Sequence, residues 1–85
     1  MFMDEAGIRE ILKKKGVVIG FKETVKKKKD IESVVVSKDC PEHLRERLKS
    51  LRFNIEEFDG NSIYMGSALG KPFNVAVIGV KKVSK

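Results

Sequence analysis

Residues 17–26 read VVIGFKETVK, and this stretch decides the fold. Its first three residues are apolar and β-branched, a composition typical of a buried strand. Gly20 ends the strand and a short helix begins at once, with Phe21 and Val25 four residues apart on one face. A buried strand that passes directly into a helix predicts a sheet covered by helices.

The segment before this stretch predicts another helix. Asp4 is the expected N-cap, and the apolar residues Ile8, Ile11 and Leu12 recur at helical spacing. Gly16 supplies the expected stop signal at the C-terminal end. The chain therefore enters its first strand from a helix.

Three further segments predict strands, at residues 31–36, 53–58 and 75–80. The segment 53–58 is predicted from the alternation of its residues and has a less buried end. Residues 34–36 are consecutive valines, which suits a strand covered on both faces. The segment 75–80 is apolar throughout, so we expect it near the centre of the sheet. A basic tail, expected to fray, follows at residues 81–85.

Two amphipathic segments between these strands predict helices. Asp39 or Cys40 would cap the first, while Ser62 would cap the second and Gly70 would close it. The apolar stripe of the first consists of three leucines, Leu44, Leu48 and Leu51. The order α-β-α-β-α-β-α-β predicts an α/β protein with one domain over residues 1–85. Its architecture would be a three-layer αβα sandwich around a four-stranded mixed sheet.

The composition narrows the class of protein. The 85 residues include 18 Lys+Arg and 12 Asp+Glu, which gives a formal net charge of +6. A single cysteine allows no internal disulfide, residues 75–80 are too few to span a bilayer, and the N-terminus lacks a signal-peptide pattern. We therefore expect a cytoplasmic protein, monomeric when free and independent of membranes. Its positive charge points toward nucleic acid.

Patterns that would indicate an enzyme are weak. Residues 66–71, GSALGK, have three residues between the glycines where a phosphate loop needs four, and Pro72 follows in place of Ser or Thr. Cys40 and His43 are too few for a four-ligand zinc site, and they suit a cap residue and a surface histidine. We expect no enzymatic activity, no cofactor and no metal.

The second predicted helix carries a mixed set of charges. Lys22 and Lys26 are four residues apart and share one face, with Glu23 beside them. Lysines can contact phosphates or guanine edges, and a carboxylate can accept hydrogen bonds from base amino groups. A solvated helix face with a Lys–Glu pair is the alternative.

Residues 20–26, 34–39 and 65–75 together resemble the ribosomal protein L-seven-Ae / L-thirty-e superfamily. The three segments occur in the family's order and span nearly the whole chain. In length the chain is most similar to the short bacterial members that bind kink-turn RNA. The resemblance implies an αβα sandwich that binds this RNA, a sharply bent duplex with bulged nucleotides beside sheared G·A pairs.

The resemblance also implies which residues contact RNA. Gly20, Glu23 and Lys26 match the family motif Gly-x-Asn-Glu-x-x-Lys, and Lys22 occupies the asparagine position, as is typical of bacterial members. In the family this element enters the widened groove at the G·A pairs. The implied contact residues are Gly20, Phe21, Lys22, Glu23, Lys26, Lys27, Lys38, Lys71, Phe73, Asn74 and Val75.

Their implied roles differ. Glu23 and Lys22 would read the G·A pairs, and three lysines would engage phosphates, namely Lys26, Lys27 and Lys38. Phe73 and Val75, in the loop before the last strand, would support the bulged nucleotides. Phe73 aligns with an aromatic position that stacks on a base in the L-thirty-e branch, although a core residue at the start of the strand is an equal interpretation.

Binding of this kind would stabilise the bent form of the RNA without chemistry. The same fold could instead serve as a protein-interaction module with weak or no RNA binding, because fold alone does not fix function.

Overall fold

The computed structural model describes residues 2–82, and the end of the predicted basic tail, residues 83–85, lies outside them. Strands and helices alternate along the chain, as the sequence predicts. In chain order they are β1 (Phe2–Met3), α1 (Glu5–Lys14), β2 (Val17–Ile19), α2 (Phe21–Lys26), a single 3-10 turn (Lys28–Asp30), β3 (Ile31–Val36), α3 (Glu42–Ser50), β4 (Ile55–Phe58), α4 (Ser62–Ala68) and β5 (Val77–Lys81).

The sheet is mixed, with strand order β1-β4-β3-β5-β2. Strands β1, β4 and β3 run parallel, and β5 is antiparallel to both of its neighbours, β3 and β2. The four predicted strands are β2 to β5. The two-residue β1 extends the sheet at one edge, and two residues are too short for a recognisable period.

Two hydrophobic cores lie on opposite faces of this sheet. Helices α1 and α4 cover one face, where Ile8 and Met65 pack with Val35. Helix α3 covers the other face, where Leu48 packs with Val34 and Val36, and Phe21 of α2 packs against the same core. Consecutive valines of β3 therefore point into different cores, and the predicted three-layer αβα sandwich is confirmed.

Two strands begin later than predicted. Phe53 lies just after α3, and its amide donates to Leu48 O of that helix at 3.2 Å. The amide of Val75 donates to Ser62 O at 3.0 Å, which ties this residue to α4. Because these amides are used by helices, β4 starts at Ile55 and β5 at Val77.

The caps divide between expected and unexpected residues. Asp4 accepts from the amide of Gly7 at 2.9 Å and caps α1, as predicted. Asn61, not Ser62, caps α4, because its Oδ1 accepts from the amide of Tyr64 at 2.9 Å. The N-cap position of α3 is Pro41, without a side-chain cap, so the prediction of Asp39 or Cys40 is wrong there.

No helix within residues 2–82 has both the length and the apolar character needed to cross a bilayer.

Candidate nucleic-acid interface

One end of the sheet gathers the segments that the sequence singles out. The amide of Gly20, at the start of α2, donates to Val77 O at 2.9 Å. The amide of Ser37, after β3, donates to Ala76 O at 2.9 Å, and that of Lys38 donates to Gly60 O at 2.9 Å. These bonds bring the start of α2, the β3–α3 loop and the α4–β5 loop together at this end of the sheet. We call this end of the sheet, where β2 and β3 finish and β5 begins, the site edge.

The start of α2 is held tightly against the sheet. Gly20 has φ +100°, a conformation that residues with a side chain rarely adopt. Thr24 is fully buried, and its Oγ1 donates to Gly20 O at 2.7 Å. A Cβ on Gly79 of β5 would lie 2.9 Å from Thr24 Cγ2, so a glycine is needed where α2 approaches the strand. These contacts fix a helix of only six residues.

The charged side chains of this helix face solvent. Lys22, Glu23, Lys26 and Lys27 are all exposed, and within residues 2–82 none of them takes part in an ion pair. The solvated helix face of the alternative interpretation is therefore present, but without a Lys–Glu ion pair among the described residues. Phe21 is half-buried against the α2–α3 core, so its ring anchors the helix.

The α4–β5 loop lies along α4 at close range. Gly70 has φ +73°, and the amide of Lys71 donates to Gly66 O at 2.9 Å, which closes the end of the helix. Gly66 has no room for a side chain, because a Cβ there would lie 2.1 Å from Phe73 O. The backbone of the loop at Phe73 therefore packs directly against Gly66 of α4, where only glycine fits.

The loop's side chains divide between surface and core. Phe73 is 54% exposed, so the interpretation of Phe73 as a core residue is wrong. Lys71 and Asn74 are also exposed beside it. Val75 is only 3% exposed and packs in the α1–α4 core, so its side chain supports the loop from within. A contact between the Val75 side chain and a nucleotide does not fit this burial.

Lys38 lies at the site edge and forms an ion pair with Asp59. Its Nζ lies 3.0 Å from Asp59 Oδ1, and both side chains are largely exposed. Arg45 holds the backbone beneath it: the Nη2 atom donates to Ser37 O at 2.8 Å and to Lys38 O at 3.2 Å. The same guanidinium pairs with Glu57 Oε1 at 3.0 Å. The backbone under Lys38 is therefore anchored to both α3 and β4.

Asp39 connects two loops of the site edge, a role that the sequence did not reveal. Its carboxylate accepts from Ser37 Oγ at 2.7 Å, from the Ser62 amide at 2.7 Å and from Ser62 Oγ at 2.9 Å. These hydrogen bonds, the Ser37 hydroxyl first, lower the pKa of Asp39. Ser62 O in turn accepts a hydrogen bond from the Val75 amide, so Asp39 links the β3–α3 loop to the α4–β5 loop.

Cys40 and His43 differ in their exposure. Cys40 is 6% exposed, and burial raises the pKa of its thiol. His43 is exposed on α3. Among residues 2–82 no group of three or more His, Cys, Asp and Glu side chains could hold a metal ion.

Comparison with known proteins identifies the family. The model of the ribosomal protein L7Ae/L30e/S12e/Gadd45 family matches residues 5–85. A relative from Archaeoglobus fulgidus, large ribosomal subunit protein eL30, is 35% identical over 78 residues, which are 89% of this chain and 91% of that protein. The protein of the same name from Methanoregula boonei is 35% identical over 78 residues, which are 88% of this chain and 80% of that protein.

A solved structure agrees at the level of the fold. A protein of unknown function from Bacillus halodurans superposes with a TM-score of 0.68 at 24% identity, over 92% of this chain and 81% of the other. The family model and the archaeal relatives confirm the resemblance stated from three separated motifs. With a family match over nearly all of its length, this chain belongs to the ribosomal protein L7Ae/L30e/S12e/Gadd45 family.

Proposed function

We propose that this protein is a ribosomal-protein-type RNA-binding protein that recognises kink-turn RNA and stabilises its bent form, as a single copy and without chemistry. One observation carries the proposal. Glu23 stands exposed between Lys22 and Lys26, with no ion pair within residues 2–82, on the edge that also presents Phe73. The relatives' name, a large ribosomal subunit protein, supports RNA as the ligand class.

The chemistry of the site edge suits base reading as well as charge attraction. The Glu23 carboxylate can accept hydrogen bonds from base amino and imino groups, while Lys22 can donate to purine edges. Lys26 and Lys27 extend toward phosphates. The exposed ring of Phe73 offers a stacking surface for an unpaired base, a contact that contributes about 1–3 kcal/mol in other single-strand binders.

The rigid placement of these groups favours binding. Thr24 fixes α2 on β5, and Asp39 fixes the loops on either side. Because the loop backbones are ordered before RNA arrives, binding would cost less conformational entropy than it would with mobile loops. The RNA's bent conformer would then gain population in proportion to the protein's preference for it.

A gel-shift titration tests the proposal. We expect tighter binding to a kink-turn duplex than to a control duplex in which Watson–Crick pairs replace the G·A pairs. Equal affinity for the two RNAs would contradict specific recognition.

A charge-matched pair of variants tests the role of Glu23. Glu23→Gln should weaken kink-turn binding by about 1–3 kcal/mol, or roughly 5- to 150-fold, if the carboxylate reads a base. Glu10→Gln changes the net charge equally but lies on α1, and it should leave affinity unchanged. Removal of a negative charge should by itself strengthen binding to RNA slightly in both variants. An affinity of Glu23→Gln that equals that of Glu10→Gln would therefore contradict base reading by Glu23.

One feature favours a second candidate function, the protein-interaction module. Ile63 on α4 is 63% exposed, more than the ring of Phe73, and no role in RNA reading accounts for it. A protein partner that stays bound after nuclease treatment, with no RNA retained, would favour this function over the first.

A further inference from the structure

A second basic surface lies at the end of the sheet opposite the site edge. Strand β3 begins at that end, β5 finishes there, and both α2 and α3 lead to it. Six basic residues belong to this surface, which we call the basic pole: Lys27, Lys28, Lys29, Lys49, Arg52 and Lys82.

Specific contacts bring these residues together. Lys28 Nζ lies 6.0 Å from the centre of the Phe53 ring, which joins the turn after α2 to the end of α3. The amide of Lys82 donates to Asp30 O at 2.8 Å, which joins the end of β5 to the same turn. The six cations therefore come from three chain segments that converge, and not from one flexible run.

The basic pole carries an excess of positive charge. All six side chains are exposed, and within residues 2–82 none is in an ion pair. Apart from Glu32, four carboxylates lie within four residues of these six in the sequence, so positive charges remain in excess by two; they are Glu23, Asp30, Glu46 and Glu56. Glu32 is already paired with Lys15 at 3.0 Å.

Helix dipoles do not account for this surface. Basic residues in a last turn favour the negative end of a helix, which explains Lys49 of α3. Lys28 and Lys29 lie beyond the end of α2, and Lys82 follows a strand. Exposed cations that have no ion pair among residues 2–82 remain available to an anionic partner.

We propose that the basic pole binds the phosphates of a duplex RNA stem that continues from the bent RNA at the site edge. This inference rests on the proposed function. The two surfaces are separated by the length of β5, about 13 Å for five residues. Helix α2 leads from the site edge to Lys27 of the basic pole, and α2 and α3 cover the same face of the sheet. A stem lying along this face would contact both ends with one continuous phosphate backbone.

Salt dependence measured on two RNAs tests the inference. Both RNAs carry the same kink-turn, one with a stem that ends near the bend and one with a stem of about 16 base pairs, the span that duplex-binding domains cover. The variant Lys29→Gln/Lys82→Gln should lower the slope of log K against log salt by about two units on the long stem, since each neutralised phosphate contributes about 0.9. On the short stem the slope should stay unchanged.

A control variant separates position from net charge. Lys13→Gln/Lys14→Gln also removes two positive charges, but from α1 on the other face of the sheet, and it should leave the slope unchanged on both RNAs. Circular dichroism confirms that each variant is folded.

The outcomes separate this inference from the proposed function. A long-stem slope that is unchanged in Lys29→Gln/Lys82→Gln, or lowered equally by the α1 control, would overturn the inference. The proposed function would fail separately, if the wild type bound the short-stem kink-turn and its G·A-disrupted counterpart equally well.

Discussion

Gly66→Ala tests the seating of the α4–β5 loop. The new Cβ would lie 2.1 Å from Phe73 O, a backbone atom that cannot rotate away. Ordinary carbon–oxygen contacts start near about 3.3 Å, so the loop must retreat by about 1.2 Å. That movement strains the bonds from the Lys71 amide to Gly66 O and from the Val75 amide to Ser62 O.

The expected cost follows from these contacts. Overpacking of this kind destabilises proteins by about 1–3 kcal/mol. Each weakened hydrogen bond adds about 1 kcal/mol, and the helix preference of alanine over glycine returns about 1 kcal/mol. With two weakened bonds, these contributions give a net loss of about 2–4 kcal/mol in the free energy of unfolding. RNA binding should also weaken, because Phe73 is displaced.

Two measurements check this prediction. The chain contains no Trp, so urea unfolding is followed by far-UV circular dichroism, and kink-turn affinity is followed by gel shift. Ser67→Ala is the matched control, because residue 67 is exposed and sits next on the same helix, where alanine should slightly stabilise it. The reasoning is refuted if Gly66→Ala matches the wild type in both stability and affinity.

Two further changes test other contacts. Arg52 follows α3 with φ 65°, a left-handed conformation that favours glycine, and its amide donates to Lys49 O. Arg52→Gly should therefore raise the free energy of unfolding by about 1 kcal/mol. An unchanged urea midpoint would show that the backbone there is unstrained. The pKa of Asp39 is lower in the folded state than its ordinary value of 3.8. Its stabilising effect is therefore present above 3.8 and is lost as the pH falls below 3.8 through the lower pKa of the folded state. Asp39→Asn should therefore lower stability at neutral pH and reduce its dependence on pH in the acid range, as urea midpoints across that range would show; an acid dependence equal to that of the wild type would exclude Asp39 as the titrating group.

The layers of the fold could be predicted because the longer helices and strands have recognisable apolar patterns. The apolar residues of α1 recur at helical spacing, and three consecutive valines in β3 require cover on both faces. The starts of β4 and β5 could not be predicted in this way, because Phe53 and Val75 are apolar enough for a strand while their amides bond to helices.

In the candidate site, too, some features could be predicted from the sequence and others could not. The charges of α2 could be placed on one face from spacing alone, and they are exposed. The burial of Val75 and the exposure of Phe73 could not be separated, since both residues are apolar and only one residue lies between them. The bond between Asp39 and Ser62 joins residues 23 positions apart, and no local pattern signals it.

The ion pair between Lys38 and Asp59 gives the free protein an internal competitor for phosphate. An exposed pair of this kind contributes at most about 1 kcal/mol, so an incoming phosphate could displace Asp59 at little cost. The exchange would replace one anionic partner of Lys38 with another, and it would leave a carboxylate close to the bound ligand. Every phosphate that reaches Lys38 must first displace Asp59, at a cost of at most about 1 kcal/mol. Lys38 therefore contributes slightly less to non-specific binding than an exposed lysine without a partner would.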